Sequence, residues 1–292
     1  MSLFSFVALI PAALMCIYIY LKDHKEKESP LLLTALFIAG GILFFATHFA
    51  QDGLFILTDK IFAPYYKPTM PGNFTFVSPF YKGLYTFSTN FIAVALLEEA
   101  CKWAGLFFIT RKNKNFNCLF DGIVYATFIS FGFGAFENIY YAAQTGWDTI
   151  ILRTAATLPA HLLYGVIMGF FYTMWNSYRI AKVTEKKLAE RKTISVKKPF
   201  NSAIWLAISL VLPVIFNGIY ETTVMGNGQK SFIYIPIILG VYAFCFMTIR
   251  RLSSKDNESD IFAINMLTKK YPQLIGTEND LNNLIDTEVD PR

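Results

Sequence analysis

The sequence predicts an all-α, polytopic membrane helical bundle, on three observations. Hydrophobic residues make up 54% of the 292 residues and charged residues 16%, with a mean hydropathy of +0.41, a balance that ordinary soluble domains do not have. Apolar runs close to the ~20 residues that cross a bilayer recur along the chain. Lys and Arg crowd into every second connection between those runs, as the cytoplasmic flanks of membrane proteins do.

Taken in order, about seven transmembrane helices are expected, near 3–21, 30–49, 84–109, 119–143, 149–175, 202–221 and 232–249. The first has no basic region before it and no small-residue cleavage site after it, so it reads as a retained span and not a removed signal peptide. The third and fifth are long enough to tilt or project past the bilayer, and the sixth contains Pro213. Between the second and third, residues 55–80 are aromatic but broken by Asp59, Lys60, Pro64, Lys67, Pro68 and Pro71, which predicts an ordered outer loop. Asn73-Phe74-Thr75 in that loop matches a glycosylation sequon, a tripeptide common by chance.

Lys22, Lys25 and Lys27 follow span one, Arg111, Lys112 and Lys114 follow span three, a dense basic run from Arg179 to Lys198 follows span five, and Arg250, Arg251 and Lys255 follow span seven. The alternate side has only Lys60, Lys67, Lys82 and Lys230. The N-terminus is therefore expected outside and the C-terminus in the cytoplasm. The net charge of +5 is then mainly a topology signal, and no nucleic-acid partner is expected. Residues 1–251 read as the transmembrane domain, and 252–292, acidic in balance, as a solvated cytoplasmic polar tail with a short helix around Ile261–Lys270. Cys16, Cys101, Cys118 and Cys245 show no paired spacing, so neither a disulfide framework nor a zinc knuckle is indicated, and Cys101 reads as an apolar filler.

Charges within the spans are the informative exception. LLEEACKW places Glu98, Glu99 and Lys102 in span three, where each ionised residue costs about 2.5–3.5 kcal/mol to insert. Lys102 lies four residues from Glu98 and three from Glu99, so it reaches either carboxylate on a helix. A packing clamp between helices accounts for the pairing, but a buried pair is dispensable for stability, and further polar groups lie at similar depth. Span four carries Glu137 and Asn138, with Ser130 almost two turns before Glu137 and on its face. Its Gly132-Phe133-Gly134 run lies inside a span with no strand before it, which favours close helix packing over a phosphate loop. Span five aligns Arg153, Thr157, His161 and Tyr164 in one stripe, with Pro159 expected to loosen the helix beside His161. Span six offers Asn217 and Glu221, which serve equally well as interfacial residues.

E-E-x-x-K at Glu98–Lys102, F-x-x-x-E-N at Phe133–Asn138 and a histidine at the centre of the next span resemble the PrsW-type glutamic intramembrane proteases. The likeness extends more distantly to the superfamily of type II CAAX-processing endopeptidases and bacteriocin-immunity-associated membrane proteases, and covers a motif core at 91–221. Lys102 and Glu137 stand where the CAAX branch tends to have Arg and His, and Asn217 stands where many members have a second histidine. The resemblance implies a multi-pass protein of a bacterial cytoplasmic membrane. Its substrate would be a single-span membrane protein of the anti-sigma-factor kind, cut in the response to cell-envelope stress.

The chemistry expected of such a site is peptide hydrolysis. Glu98 takes a proton from the attacking water, His161, with Asn217 as helper, stabilises the oxyanion, Glu99 and Lys102 hold the charge balance, and Glu137 orients His161 or the water. Glu98 and Glu99 can exchange roles at this level of reading. No cofactor is expected. Zinc is the alternative, but HExxH and its relatives are absent and one histidine must supply the set with carboxylates. A proton-coupled secondary transporter and a non-catalytic receptor or scaffold are the rival functional classes.

Overall fold

The structure is a computed structural model that describes the backbone of residues 3–70, 73–145, 147–225 and 231–289 and the side chains of 9–67, 75–144, 156–223, 236 and 239–287. Ten α-helices order these residues: α1 (Leu3–Lys22), α2 (Pro30–Phe62), α3 (Pro79–Phe87), α4 (Leu97–Thr110), α5 (Asp121–Thr145), α6 (Trp147–Glu190), α7 (Ser202–Tyr220), α8 (Ser231–Ser253), α9 (Ser259–Lys270) and α10 (Glu278–Leu284). Each predicted span coincides with helix. Among the described residues, Pro30–Tyr65, Ala156–Glu190 and Ser202–Thr223 are long and apolar enough to cross a membrane. Outward-facing stripes such as Ile38, Ile42, Phe45 and Phe49 on α2, and Val211, Ile215 and Ile219 on α7, are exposed, as lipid-facing surfaces are.

α5 is the axis of the bundle, packed by α1, α2 and α6, while α7 leans on α6 and on the α3–α4 helix. Glycines allow these approaches. A Cβ on Gly132 would lie 1.9 Å from the Phe37 carbonyl of α2, one on Gly40 would lie 2.1 Å from the Ile129 carbonyl, and one on Gly169 would lie 2.3 Å from the Gly122 carbonyl. Small residues bring membrane helices to backbone contact in this way.

Several expectations change. α2 runs on to Phe62, well past the predicted end of its span, so much of the expected outer loop is helix. The rest is a hairpin of β1 (Tyr66–Met70) and β2 (Asn73–Phe76), antiparallel with Tyr66 opposite Phe76 and a bulge between Pro68 and Met70. The hairpin is tied down where the Tyr66 and Tyr85 hydroxyls donate to Asp59 Oδ1. The side chain of Asn73 lies outside the described residues. Pro159 does not interrupt α6, which is helical for 44 residues and carries the basic run well beyond its apolar part. Ser88–Leu96 joins α3 to α4 as a widened π-type helix, a form that recurs near functional sites.

The segment after Leu252 is packed, not solvated. Ala263, Ile264 and Leu267 of α9 and Leu281 and Leu284 of α10 form a second core with Ile180, Ala181 and Leu188 of α6. At the basic end of the bundle, three connections are knitted together. Leu119 N–H donates to the Asn257 carbonyl (2.9 Å), Ser259 N–H to the Asn117 carbonyl (2.7 Å), Phe120 N–H to Asp256 Oδ1 (2.9 Å), and the Ser253 hydroxyl to the Lys22 carbonyl. Tyr125 donates to Glu28, whose N–H donates to Asp23.

Burial, reinforced by Asp23, pushes the Glu28 carboxyl up to about 7, and burial pushes Asp256 up to about 6. Acids with raised folded-state pKa values hold protons that the unfolded chain has released, so they lower stability as pH rises from the unfolded carboxylate range through those values. The thermal midpoint of the detergent-solubilised protein should fall between about pH 5 and pH 8. Glu28→Gln should flatten the upper part of that slope, and an unchanged slope in the variant would refute the assignment.

Candidate active site

Glu98, Glu99 and Lys102 occupy the first turns of α4, directly after the π-type segment, and all three are buried. Lys102 Nζ donates to Glu99 Oε1 at 2.6 Å and lies 4.0 Å from Glu98 Oε2. The ammonium also sits over the Phe133 ring of α5 at 4.5 Å and the Tyr164 ring of α6 at 5.6 Å, where aromatic faces attract a cation. From α7, Asn217 Nδ2 donates to Glu98 Oε2 (3.2 Å) and Glu99 Oε1 (2.9 Å). Both amide hydrogens are thereby used, so Asn217 clamps the two carboxylates and its expected part as an oxyanion helper has no free donor.

α2 supplies a member that the sequence reading missed: Gln51 Nε2 donates to Glu98 Oε1 at 3.1 Å. Thr47, Gln51 and Thr58 line the buried face of α2 at helical spacing. That polar stripe is the clue in the sequence, and an expected span of 30–49 leaves Gln51 outside it. One turn before Gln51, His48 Nε2 is 2.7 Å from the Tyr140 hydroxyl, tying α2 to α5.

Glu137 of α5 and His161 of α6 face each other, with Nε2 3.0 Å from Glu137 Oε2. The imidazole lies against Gly134, where a Cβ would come within 2.3 Å of His161 Cδ2. His161 Nδ1, the Tyr164 and Ser130 hydroxyls, the Thr157 hydroxyl and Glu99 Oε2 are buried without a hydrogen-bond partner among the described residues. Five helices thus bring Gln51, Glu98, Glu99, Lys102, Glu137, His161 and Asn217 into one polar interior. Asn138 is buried, but no hydrogen bond joins its amide to the cluster. Glu221 follows the end of α7 and is half-buried. Arg153 lies outside the residues whose side chains are described.

The two inner carboxylates are not equivalent. The Glu99 side chain is fully buried and held by Lys102, whereas 11% of the Glu98 side chain and 13% of the Glu137 side chain remain exposed. Of the two inner carboxylates, Glu98 is the one that keeps accessible surface.

Gly134→Ala should force the imidazole off Glu137 and lower stability by about 1–3 kcal/mol, the usual cost of overpacking. Gly53→Ala, at a position open on all sides, is the control and should leave the unfolding midpoint unchanged or slightly raised in chemical denaturation.

Residues 28–249 match the sequence model described as PrsW family intramembrane metalloprotease. The chain is similar to Protease PrsW of Oceanobacillus iheyensis, at 28% identity over 241 residues, covering 82% of this chain and 92% of that protein. It is likewise similar to Protease PrsW of Geobacillus kaustophilus, 28% identical over 76% of this chain and 80% of the relative, and of Bacillus subtilis, 26% identical over 80% and 88%. No solved structure matches. The family's description names a metal, which would need a set of donor side chains. Among the described residues, no group of three or more His, Cys, Asp and Glu side chains is arranged to hold a metal ion, whereas a catalytic zinc takes three protein ligands. The Lys102 ammonium already supplies positive charge at Glu98 and Glu99, and His161 Nε2 is turned onto Glu137, so the residues do not fit a metal centre in this arrangement. With the match spanning α2 to α8 and the charged cluster lying inside it, the chain belongs to the PrsW family of intramembrane proteases.

Proposed function

We propose that the protein is a glutamic-type intramembrane endopeptidase that hydrolyses a peptide bond in a single-span membrane protein without a metal ion. The observation that carries this reading is the Glu98 carboxylate, held by Gln51 on one oxygen and Asn217 on the other, beside Lys102 and still partly exposed. Glu98 takes a proton from water as the water oxygen bonds to the scissile carbonyl carbon. The carbonyl electrons move to oxygen, and the resulting oxyanion is met by N–H of His161. Glu98 then returns the proton to the amide nitrogen, the C–N bond breaks, and an acid and an amine leave.

Glu137 holds the His161 ring through Nε2, which leaves Nδ1, buried and unpartnered, as the edge offered to the oxyanion. The neutral imidazole tautomer with its hydrogen on Nδ1 supplies that N–H, its Nε2 accepting from a protonated Glu137 carboxyl. Glu99 and Lys102 fix the local charge, and Asn217 and Gln51 fix the carboxylate that moves the proton. On this reading the chain has seven spans with the basic connections in the cytoplasm, and this chemistry lies toward the opposite, outer face of a bacterial membrane. An anti-sigma-factor-like protein, cut in its outer region, is the substrate class that this topology serves.

Full-length protein in lipid nanodiscs, mixed with fluorogenic single-span peptides, tests the mechanism. Glu98→Gln and His161→Ala should each lower cleavage by about 10²–10⁴-fold while the protein stays inserted, and full activity in either variant refutes it. Cleavage should also survive incubation with a strong zinc chelator, and loss that added zinc restores would assign the water activation to a metal.

A further inference from the structure

At the basic end of the bundle, well away from the charged cluster, a cavity of about 440 Å³ opens between the extension of α6 and the chain entering α7. Arg179, Lys182 and Lys186 recur every three to four residues along α6 and put three cations on its wall. Val183, Ala189 and Val196 give the cavity an apolar floor. Ser202, the first residue of α7, closes it. The Asn201 side chain makes no cap hydrogen bond there, so the positive end of a 19-residue helix faces the same space.

The one acid in the wall, Glu185, is already neutralised. It accepts from Lys270, from the Tyr271 hydroxyl (2.6 Å) and from Phe200 N–H (3.0 Å), all outside the cavity's basic rim. Lys182 makes no ion pair among the described residues, Lys186 reaches only the exposed Glu190 at 3.8 Å, and Arg179 donates to the neutral Asn176 amide oxygen (2.9 Å) while its Nε is buried without a partner. Three cations thus stand around a hollow whose one lining acid is already taken, with only the exposed Glu190 beside Lys186.

The position of the hollow narrows the ligand. Ser202 opens an apolar helix long enough to cross a membrane, so the cavity lies where that span meets water. Tyr178 and Trp205 pack beside it with ring centroids 5.1 Å apart, aromatic residues of the kind that gather at that boundary. We propose that this cavity binds a phosphate group, with the anionic headgroup of a membrane phospholipid as its source, the cations taking the phosphate and the apolar floor taking the glycerol and the start of a chain. Clustered Lys and Arg at a membrane surface select anionic lipids, and here they are built into a concave site with a helix N-terminus behind it.

The test titrates full-length protein in neutral detergent with short-chain phosphatidylglycerol, short-chain phosphatidylcholine and inorganic phosphate, counting bound species by native mass spectrometry. Wild type is compared with a Lys182→Gln/Lys186→Gln double variant, whose two sites are exposed and whose fold is checked by its thermal midpoint. Arg179→Gln serves as a second variant. Phosphatidylglycerol should half-saturate wild type at a concentration about 30-fold lower than the double variant, with phosphatidylcholine, whose choline offsets its phosphate, binding more weakly to wild type. Lysine-dependent binding of inorganic phosphate as tight as that of the lipid assigns the site to a free phosphate. Binding that is the same in wild type and both variants, or no binding of any of the three, overturns the proposal.

Discussion

The buried ammonium of Lys102 is the constraint around which the membrane-embedded half of the molecule is organised. It is fully buried, a position open to a cation only when carboxylates and aromatic faces replace its water. Glu99 meets it at 2.6 Å and the Phe133 ring at 4.5 Å, so α4, α5 and α6 converge on one charge. Removing a partner from such a pair costs about 3–5 kcal/mol, more than most single packing contacts supply. That asymmetry keeps Glu99 in place and leaves Glu98, at 4.0 Å from the ammonium, as the looser partner.

Glycine makes the convergence possible. The close approaches of α2 to α5 at Gly40 and Gly132, and of α5 to α6 at Gly122 and Gly169, remove the side-chain layer that separates most packed helices. With the backbones in contact, Gln51, Glu98, Glu137 and His161 from four different helices share one interior instead of pointing into separate layers. The same logic fixes the imidazole, whose ring takes the space a side chain at Gly134 would fill.

The membrane class, the positions of the helices, and Glu98, Glu99, Lys102, Glu137, His161 and Asn217 were legible in the sequence because ionised or strongly polar residues stand out against an apolar background. Gln51 was not, since an uncharged amide near the end of an apolar run looks like the beginning of a loop. The direction of the Asn217 amide was equally hidden, because spacing along a helix says which face a residue occupies and nothing about which carboxylate it meets. The packing of α9 and α10 was missed for a different reason. The net acidity of residues 252–292 concealed Ile264, Leu267, Leu281 and Leu284, whose helical spacing buries them against α6.

α6 connects these features. It carries His161 at the charged cluster and Glu185 at the second core, 24 residues apart, about 36 Å along an unbroken helix. Near its basic end the second core grips Ile180, Ala181 and Leu188, and Lys270 and Tyr271 of the C-terminal segment take up Glu185. Without that grip, the helix beyond Trp175 would extend from the bundle supported mainly by its own hydrogen bonds, and helices with only such support are marginal in water. Packing by the C-terminal segment therefore does two things at once. It turns the extension of α6 into a fixed part of the fold, and by binding the one acid of the cavity wall it leaves Arg179, Lys182 and Lys186 as a positive face at the end of the same rod that holds the imidazole.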